Sequence, residues 1–187
     1  MKRILTTFAG VGLLALSTTA QAADFAVDKA KSTITVKAKA TGGGFTGTLK
    51  DYRATISGNA STLKPSSAKL TWLFKDLDTK EKKRDAKMLK WLDVGKHPGG
   101  EFTLKRIFDK KVLGKEQSYA LGTIKIHGVS KQLVFPINTA KNGNALTISG
   151  QAVLDTTDFA LPIIRMALVA TVKPKLVIDF SLTGKIK

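Results

Sequence analysis

The 187-residue chain contains no cysteine. Disulfides, thiolate metal sites, cysteine nucleophiles and a lipid-modified cysteine at an export cleavage site are therefore all excluded. Histidine is nearly as scarce. His97 stands beside Pro98 and His127 before Gly128, each at the end of an expected element and neither with a ligand-type neighbour at metal spacing. Both read as structural. Acidic residues number 14 against 31 lysines and arginines. The densest acidic group, Asp76, Asp78, Asp85 and Asp93, is so surrounded by lysines that ion pairs explain it better than a catalytic carboxylate pair. An enzyme would need His127 centred with an aspartate in a polar cleft; none is expected, and no metal or cofactor is expected either. Residues 4–16 form the longest apolar run, but Thr6, Thr7, Gly10 and Gly12 interrupt it. It is shorter than the roughly 20 residues a membrane-spanning helix needs.

That short run has another reading. Lys2 and Arg3 precede it, and Ala20-Gln21-Ala22 follows with small residues at the two positions a signal peptidase reads. Residues 1–22 are expected to be a signal peptide cleaved after Ala22, and residues 23–187 one exported domain. With no disulfide available in an oxidising compartment, stability has to come from a packed core. A chain 43% apolar is rich enough to build one.

The formal charge is +17, and losing Lys2 and Arg3 lowers it by only two units. Such a bias attracts anionic surfaces, including phospholipid headgroups, acidic polymers and nucleic acid. Many lysines alternate with apolar residues, as Lys37 and Lys39 do, and so read as the wet face of strands. A dedicated polyanion site is the competing reading.

Period-two alternation dominates the exported part. In 32–40, Ile34, Val36, Ala38 and Ala40 share one face. Residues 45–58 place Phe45, Gly47 and Leu49 together, with a bend expected at Lys50-Asp51. Residues 68–75 align Leu70, Trp72 and Phe74, and 101–108 align Phe102 and Leu104. Further runs cover 119–127, 132–139, 145–154 and 169–183, making about eight strands. Asn142-Gly143 between two runs is a type I′ hairpin signal. The fold class expected is all-β: eight antiparallel strands closed into a barrel, which is just wide enough to be filled or to hold one narrow ligand. Gly42-Gly43-Gly44 reads as a strand connection, since no phosphate-loop lysine-serine follows.

One segment departs from that pattern. Across 78–95, Met88, Leu89, Trp91 and Leu92 recur at helical spacing, with Asp78 as the expected N-cap, Glu81 completing a capping box, and Gly95 as the C-terminal cap. Lys80, Lys82, Lys83 and Arg84 crowd the start of this helix, where the dipole disfavours cations. They form either a solvated face or a contact for an anionic headgroup. The aromatic and aliphatic residues Phe45, Leu49, Leu70, Trp72, Phe74, Trp91, Phe102, Leu104, Ile124, Phe135 and Phe159 are the candidate interior. They fill a core if the barrel is packed and line a ligand cavity if it is not.

Three stretches resemble the YceI-like family of bacterial proteins. In "DTKEKKRDAKMLKWLDVGKHPGGEFTL" (78–104), the family's DT, RD, V-x-x-x-P turn and x-F-x strand fall at Asp78-Thr79, Arg84-Asp85, Val94 to Pro98 and Phe102. "LGTIKIHGVSKQLVFPI" (121–137) is similar to its G-x-L-T-I-x-G-V-T-K strand pair. "LDTTDFAL" (154–161) is similar to its turn ending in D-F-G. The motifs stand in the family's order and span nearly all of the exported part. The resemblance implies a periplasmic, lipocalin-like barrel that encloses long apolar molecules: polyprenyl chains, ubiquinone-type isoprenoids or fatty amides. It implies transport, storage or scavenging, with links to stress responses, and as partners a lipid ligand and peripheral contact with an anionic membrane, as monomer or homodimer. Nucleic acid is not an expected partner. The chain departs from the family at Lys31-Ser32 and near Lys39-Ala40, where histidines are usual, and at Ala160, where glycine is. Headgroup contacts through those histidines do not carry over. The alternative to a lipid binder is a polyanion-binding module using its basic surface on a filled barrel.

Overall fold

A computed structural model describes residues 22–59, 61–166 and 170–186. The expected signal segment, apart from Ala22, lies outside the described residues, as does the expected strand start at Val169. The chain begins with β1 (Ala22–Val27), β2 (Thr33–Ala40), β3 (Gly43–Leu49), β4 (Arg53–Asn59), β5 (Lys64–Leu73) and the two-residue β6 (Leu77–Asp78). Helix α1 (Lys82–Trp91) follows, then β7 (Gly99–Val112), β8 (Lys115–Ile126), β9 (Val129–Asn142) and β10 (Ala145–Asp155). The short β11 (Arg165–Met166) and the long β12 (Ala170–Ile186) complete the order.

Eight strands form a closed antiparallel ring in the order β1-β4-β5-β7-β8-β9-β10-β12, with β12 returning to β1. β12 is long enough to serve two partners on one side. Its end pairs with β1 (Val27 opposite Gly184) and its earlier part with β2 (Ile34 opposite Phe180, Ala40 opposite Val172). β3 and β6 extend the same wall beyond β2. The bend expected at Lys50-Asp51 is the break between β3 and β4, where Asp51 accepts from the Tyr52 N–H at 2.8 Å.

Alternation carries the core inward. Along β10, Leu146, Ile148, Ala152 and Leu154 are buried while Gln151 and Val153 are exposed. One cluster, including Phe25, Ile34, Ile56, Leu146 and Leu182, gathers at the end where the chain enters and leaves the barrel. A second, including Phe74, Leu92, Ile126, Leu154 and Phe159, gathers under α1.

The local details correct several expectations. Asn142 pairs with Ala145, so the turn residues are Gly143 (φ 57°) and Asn144. With only the first at positive φ, this is the type II′ pattern rather than I′. The N-cap of α1 is Glu81, whose carboxylate accepts from the N–H groups of Lys83 and Arg84. Lys80 at φ 62° reverses the chain between Asp78 and the helix, so Asp78 caps the Lys80 N–H instead. The helix closes at Leu92, before Gly95. Phe74 leaves strand geometry and opens a 3₁₀ turn over Phe74–Asp76, yet stays buried.

Type I′ turns appear at Leu113-Gly114 and His127-Gly128, with positive φ at both residues. Leu113 is fully exposed at φ 50°, so its side chain gains no burial and carries the left-handed penalty that asparagine tolerates. Leu113→Asn is expected to raise unfolding free energy by about 0.5–1 kcal/mol. Urea denaturation checks this, and a loss of stability would show that Leu113 makes a contact in solution.

Candidate functional site

The interior is not filled. A cavity of about 1030 Å³ runs inside the barrel, at the upper end of the roughly 300–1,000 Å³ range of small-molecule pockets. This removes the filled interior on which the polyanion-module alternative rested. The wall is overwhelmingly apolar and comes from the inward faces of nearly every strand of the ring.

All eleven candidate interior residues stand on this wall: Phe45, Leu49, Leu70, Trp72, Phe74, Trp91, Phe102, Leu104, Ile124, Phe135 and Phe159. They differ in setting. Leu49, Phe74, Ile124, Phe135 and Phe159 are buried, whereas Phe45, Leu70, Trp72, Trp91, Phe102 and Leu104 are only partly so. The rings form a connected lining. Phe135 sits 5.6 Å from Phe102 and 5.7 Å, edge to face, from Phe180, and Trp72 meets Phe74 edge to face at 6.4 Å. Phe180 was missed by sequence reasoning. Its signal was the alternation of Ile178, Phe180 and Leu182 along the last strand, all three on the wall.

Helix α1 covers one end. Met88, Trp91 and Leu92 turn toward the cavity, and the Trp91 indole N–H donates to the Pro162 carbonyl at 2.8 Å. That bond ties the helix to the segment following β10. The segment begins with a 3₁₀ turn, Thr156–Phe159, capped by Asp155. The hydroxyl and then the N–H of Thr157 hold the Asp155 carboxyl below the usual carboxylate range. The turn drives Phe159 inward to 2% exposure. It ends at Ala160 in the left-handed region, φ 57°, where the resemblance leads one to expect glycine.

The two histidines are not isolated from each other. Their rings lie 4.5 Å apart, and His127 Nδ1 is 3.2 Å from the Phe159 carbonyl oxygen. They buttress the β8–β9 turn against the 3₁₀ turn. Among the described residues no group of three or more His, Asp or Glu side chains is placed to hold a metal ion. Of the four clustered aspartates, Asp78 and Asp93 form the expected ion pairs, with Lys50 and Lys96. Asp85 instead accepts from the Thr79 hydroxyl and N–H, and Asp76 contributes a backbone carbonyl to the Lys50 N–H. Of the three glycines, Gly42 lies in the β2–β3 connection, Thr41-Gly42, while Gly43 already pairs with Ala40 at the start of β3; Gly42 and Gly43 both have positive φ.

Polar groups enter the wall chiefly at the helix end. Thr79, Glu81, Lys83, Arg84 and Lys87 come from α1 and its approach, and Arg165 and Lys173 from beyond β10. Arg84 is the most constrained. Its Nε donates to Thr79 Oγ1 at 2.8 Å and one terminal nitrogen to the Thr79 carbonyl at 2.7 Å, while its guanidinium lies 4.6 Å from the centre of the Phe45 ring. Thr79 is itself buried at 4% exposure.

Three solved structures share this architecture. BcnA of Burkholderia cenocepacia is 21% identical, with a TM-score of 0.73 over 86% of this chain and all of that one. A polyisoprenoid binding domain from Saccharophagus degradans implicated in plant cell wall breakdown is 11% identical, with a TM-score of 0.61 over 89% of this chain and 98% of that one. The Campylobacter jejuni YCEI protein is 17% identical, with a TM-score of 0.62 over the whole of this chain and 99% of that one. Comparison with curated proteins finds no match. The model of the YceI-like domain matches residues 25–184, a span that includes all or most of each strand of the closed ring except β1, of which it takes the second half. The chain belongs to the YceI-like family.

Proposed function

We propose that the protein is exported, cleaved after Ala22, and encloses the tail of an isoprenoid or similar amphipathic lipid in the periplasm. The observation that carries this is the roughly 1030 Å³ apolar cavity, whose polar lining lies chiefly at the helix end. The similarity to a structure described as a polyisoprenoid binding domain supports an isoprenoid tail. Burying each methylene gains about 0.8 kcal/mol relative to water, so a long tail contributes a large driving force. Carriage between membranes, storage or scavenging would all use the same enclosure.

Protein purified from the periplasm of its own host is expected to begin at Ala23 and to release a lipid into organic solvent, identified by mass spectrometry. The delipidated protein is expected to bind geranylgeraniol, reported by the fluorescence of Trp72 and Trp91, both on the cavity wall. An empty extract together with no response to geranylgeraniol would refute the reading.

A further inference from the structure

The end of the barrel away from α1 carries the β7–β8 and β9–β10 turns and the close of β12. One of these hairpins stands clear of its neighbours. Strands β7 and β8 pair with each other up to the tip, Lys110 opposite Gln117, Lys111 opposite Glu116 and Val112 opposite Lys115. Among the described residues the flanking ladders stop short of it. The pairing of β5 with β7 ends at Lys69–Thr103, and that of β9 with β8 comes no nearer the tip than Ser118–Ile137. Lys110 to Glu116 is a two-stranded ribbon with every residue exposed.

The composition of this tip is at odds with its exposure. Val112 is 40% accessible and Leu113 100%, and Leu113 holds φ 50°. Its side chain buries nothing on folding, and the left-handed backbone costs it more than it would cost asparagine or glycine. A strained, unburied apolar residue points to a role outside the folded monomer. Around it stand Lys110, Lys111 and Lys115, none of them ion-paired among the described residues. Lys141 and Lys185 add charge near the ends of β9 and β12. The hairpin's two carboxylates offset little of this. Asp109 is held by Lys64 and the Ser118 hydroxyl, and Glu116 faces Lys111 in the register.

An apolar apex ringed by lysines matches the interface of an anionic bilayer. There leucine enters the acyl boundary while ammonium groups reach lipid phosphates on their aliphatic stems. A soluble polyanion would meet the lysines but give Leu113 nothing. We propose that the β7–β8 hairpin is a membrane-docking tip, which inserts Leu113 and Val112 among anionic phospholipids. Docking by this end directs α1 and the polar part of the cavity wall away from the bilayer. Attachment is then independent of what the cavity holds.

The mature protein is sedimented with vesicles of phosphatidylcholine, alone or mixed in equal parts with phosphatidylglycerol. Binding to the mixed vesicles is expected, weakening with salt, with little binding to the neutral ones. Leu113→Asn is expected to bind the mixed vesicles about tenfold more weakly. Because this variant is expected to be the more stable protein, misfolding cannot account for the loss. Lys110→Gln/Lys111→Gln/Lys115→Gln is expected to lose about thirtyfold or more, from roughly fivefold per lysine. Lys39→Gln/Lys90→Gln/Lys131→Gln removes the same charge from exposed positions toward the α1 end and is expected to lose less than about threefold. Equal losses in the two triple variants would overturn the tip in favour of diffuse attraction by net charge. Leu113→Asn binding as tightly as the parent would overturn the insertion, and polyphosphate bound equally well by both proteins would make the tip a polyanion site instead. Failure of the parent to bind the mixed vesicles would overturn the proposal and leave the cavity reading untouched.

Discussion

Carrying an indole into the hollow at Ala120 or Ala152 is expected to weaken geranylgeraniol binding at least about a hundredfold while the barrel still folds. Both alanines are almost fully buried, at 3% and 4% exposure, and both line the cavity. Ala120 lies opposite Phe135 and Ile107 in the sheet, and Ala152 opposite Ile178. They are the small residues of a patch otherwise lined by Phe102, Phe135, Ile137 and Phe180, so a large side chain there fills the path of the tail. Each five-carbon unit kept from burial forfeits about 4 kcal/mol, roughly a thousandfold in affinity, and a hundredfold allows for partial rearrangement. Overpacking a tight core costs about 1–3 kcal/mol; here much of the added volume enters open space. Val153→Trp on the outer face of β10, where Val153 is 50% exposed, serves as the control and is expected to bind normally. Unchanged affinity in both inward variants, measured by titration alongside thermal unfolding, would mean that the tail does not reach this depth.

The wall was legible because a strand advertises its inward face with a period of two. Ile34, Val36, Ala38 and Ala40 were assigned to one side from the sequence, and all four line the cavity. Whether that side enclosed a packed core or a hollow was not legible, since the same residues serve both and only the summed volume decides. Boundaries failed where two local rules competed. Asn142-Gly143-Asn144 satisfies the glycine-second rule of a type I′ turn and the glycine-first rule of type II′, and strand register selected the second. Asp78 and Glu81 are both capable caps, and the reversal at Lys80 settled on Glu81. The mouth was the least legible part. Arg84 and Lys173 are distant in sequence and share one cavity wall only because β12 brings the chain back beside β2. The pairing of His97 with His127 is likewise a product of topology.

Strand β1 was missed for a related reason, and its role makes Gly184→Ala a strongly damaging substitution. Nothing in Ala22–Val27 alternates clearly, and its partners, β4 and the far end of β12, are remote in sequence. Yet this strand closes the ring through three aligned residue pairs, Phe25 with Ile186, Ala26 with Lys185, and Val27 with Gly184. Gly184 also faces Leu146 of β10, so it is held from both sides. A Cβ at this position would lie 2.1 Å from the Ala26 carbonyl oxygen and 2.8 Å from its carbon. Those are backbone atoms in a paired strand and cannot turn aside as a side chain would. Relief requires β1 to move away from β12, which lengthens or breaks the pairs that close the barrel and exposes two strand edges. Gly184→Ala is expected to cost about 3 kcal/mol or more of unfolding free energy. Gly95→Ala supplies the comparison, because its Cβ would meet nothing closer than 4.0 Å and the substitution is expected to be neutral or to stabilise by about 0.5 kcal/mol. Urea denaturation of the two variants side by side checks the difference. If Gly184→Ala stayed within about 1 kcal/mol of the parent, β1 would have to be loosely attached and its pairing with β12 would contribute little to stability.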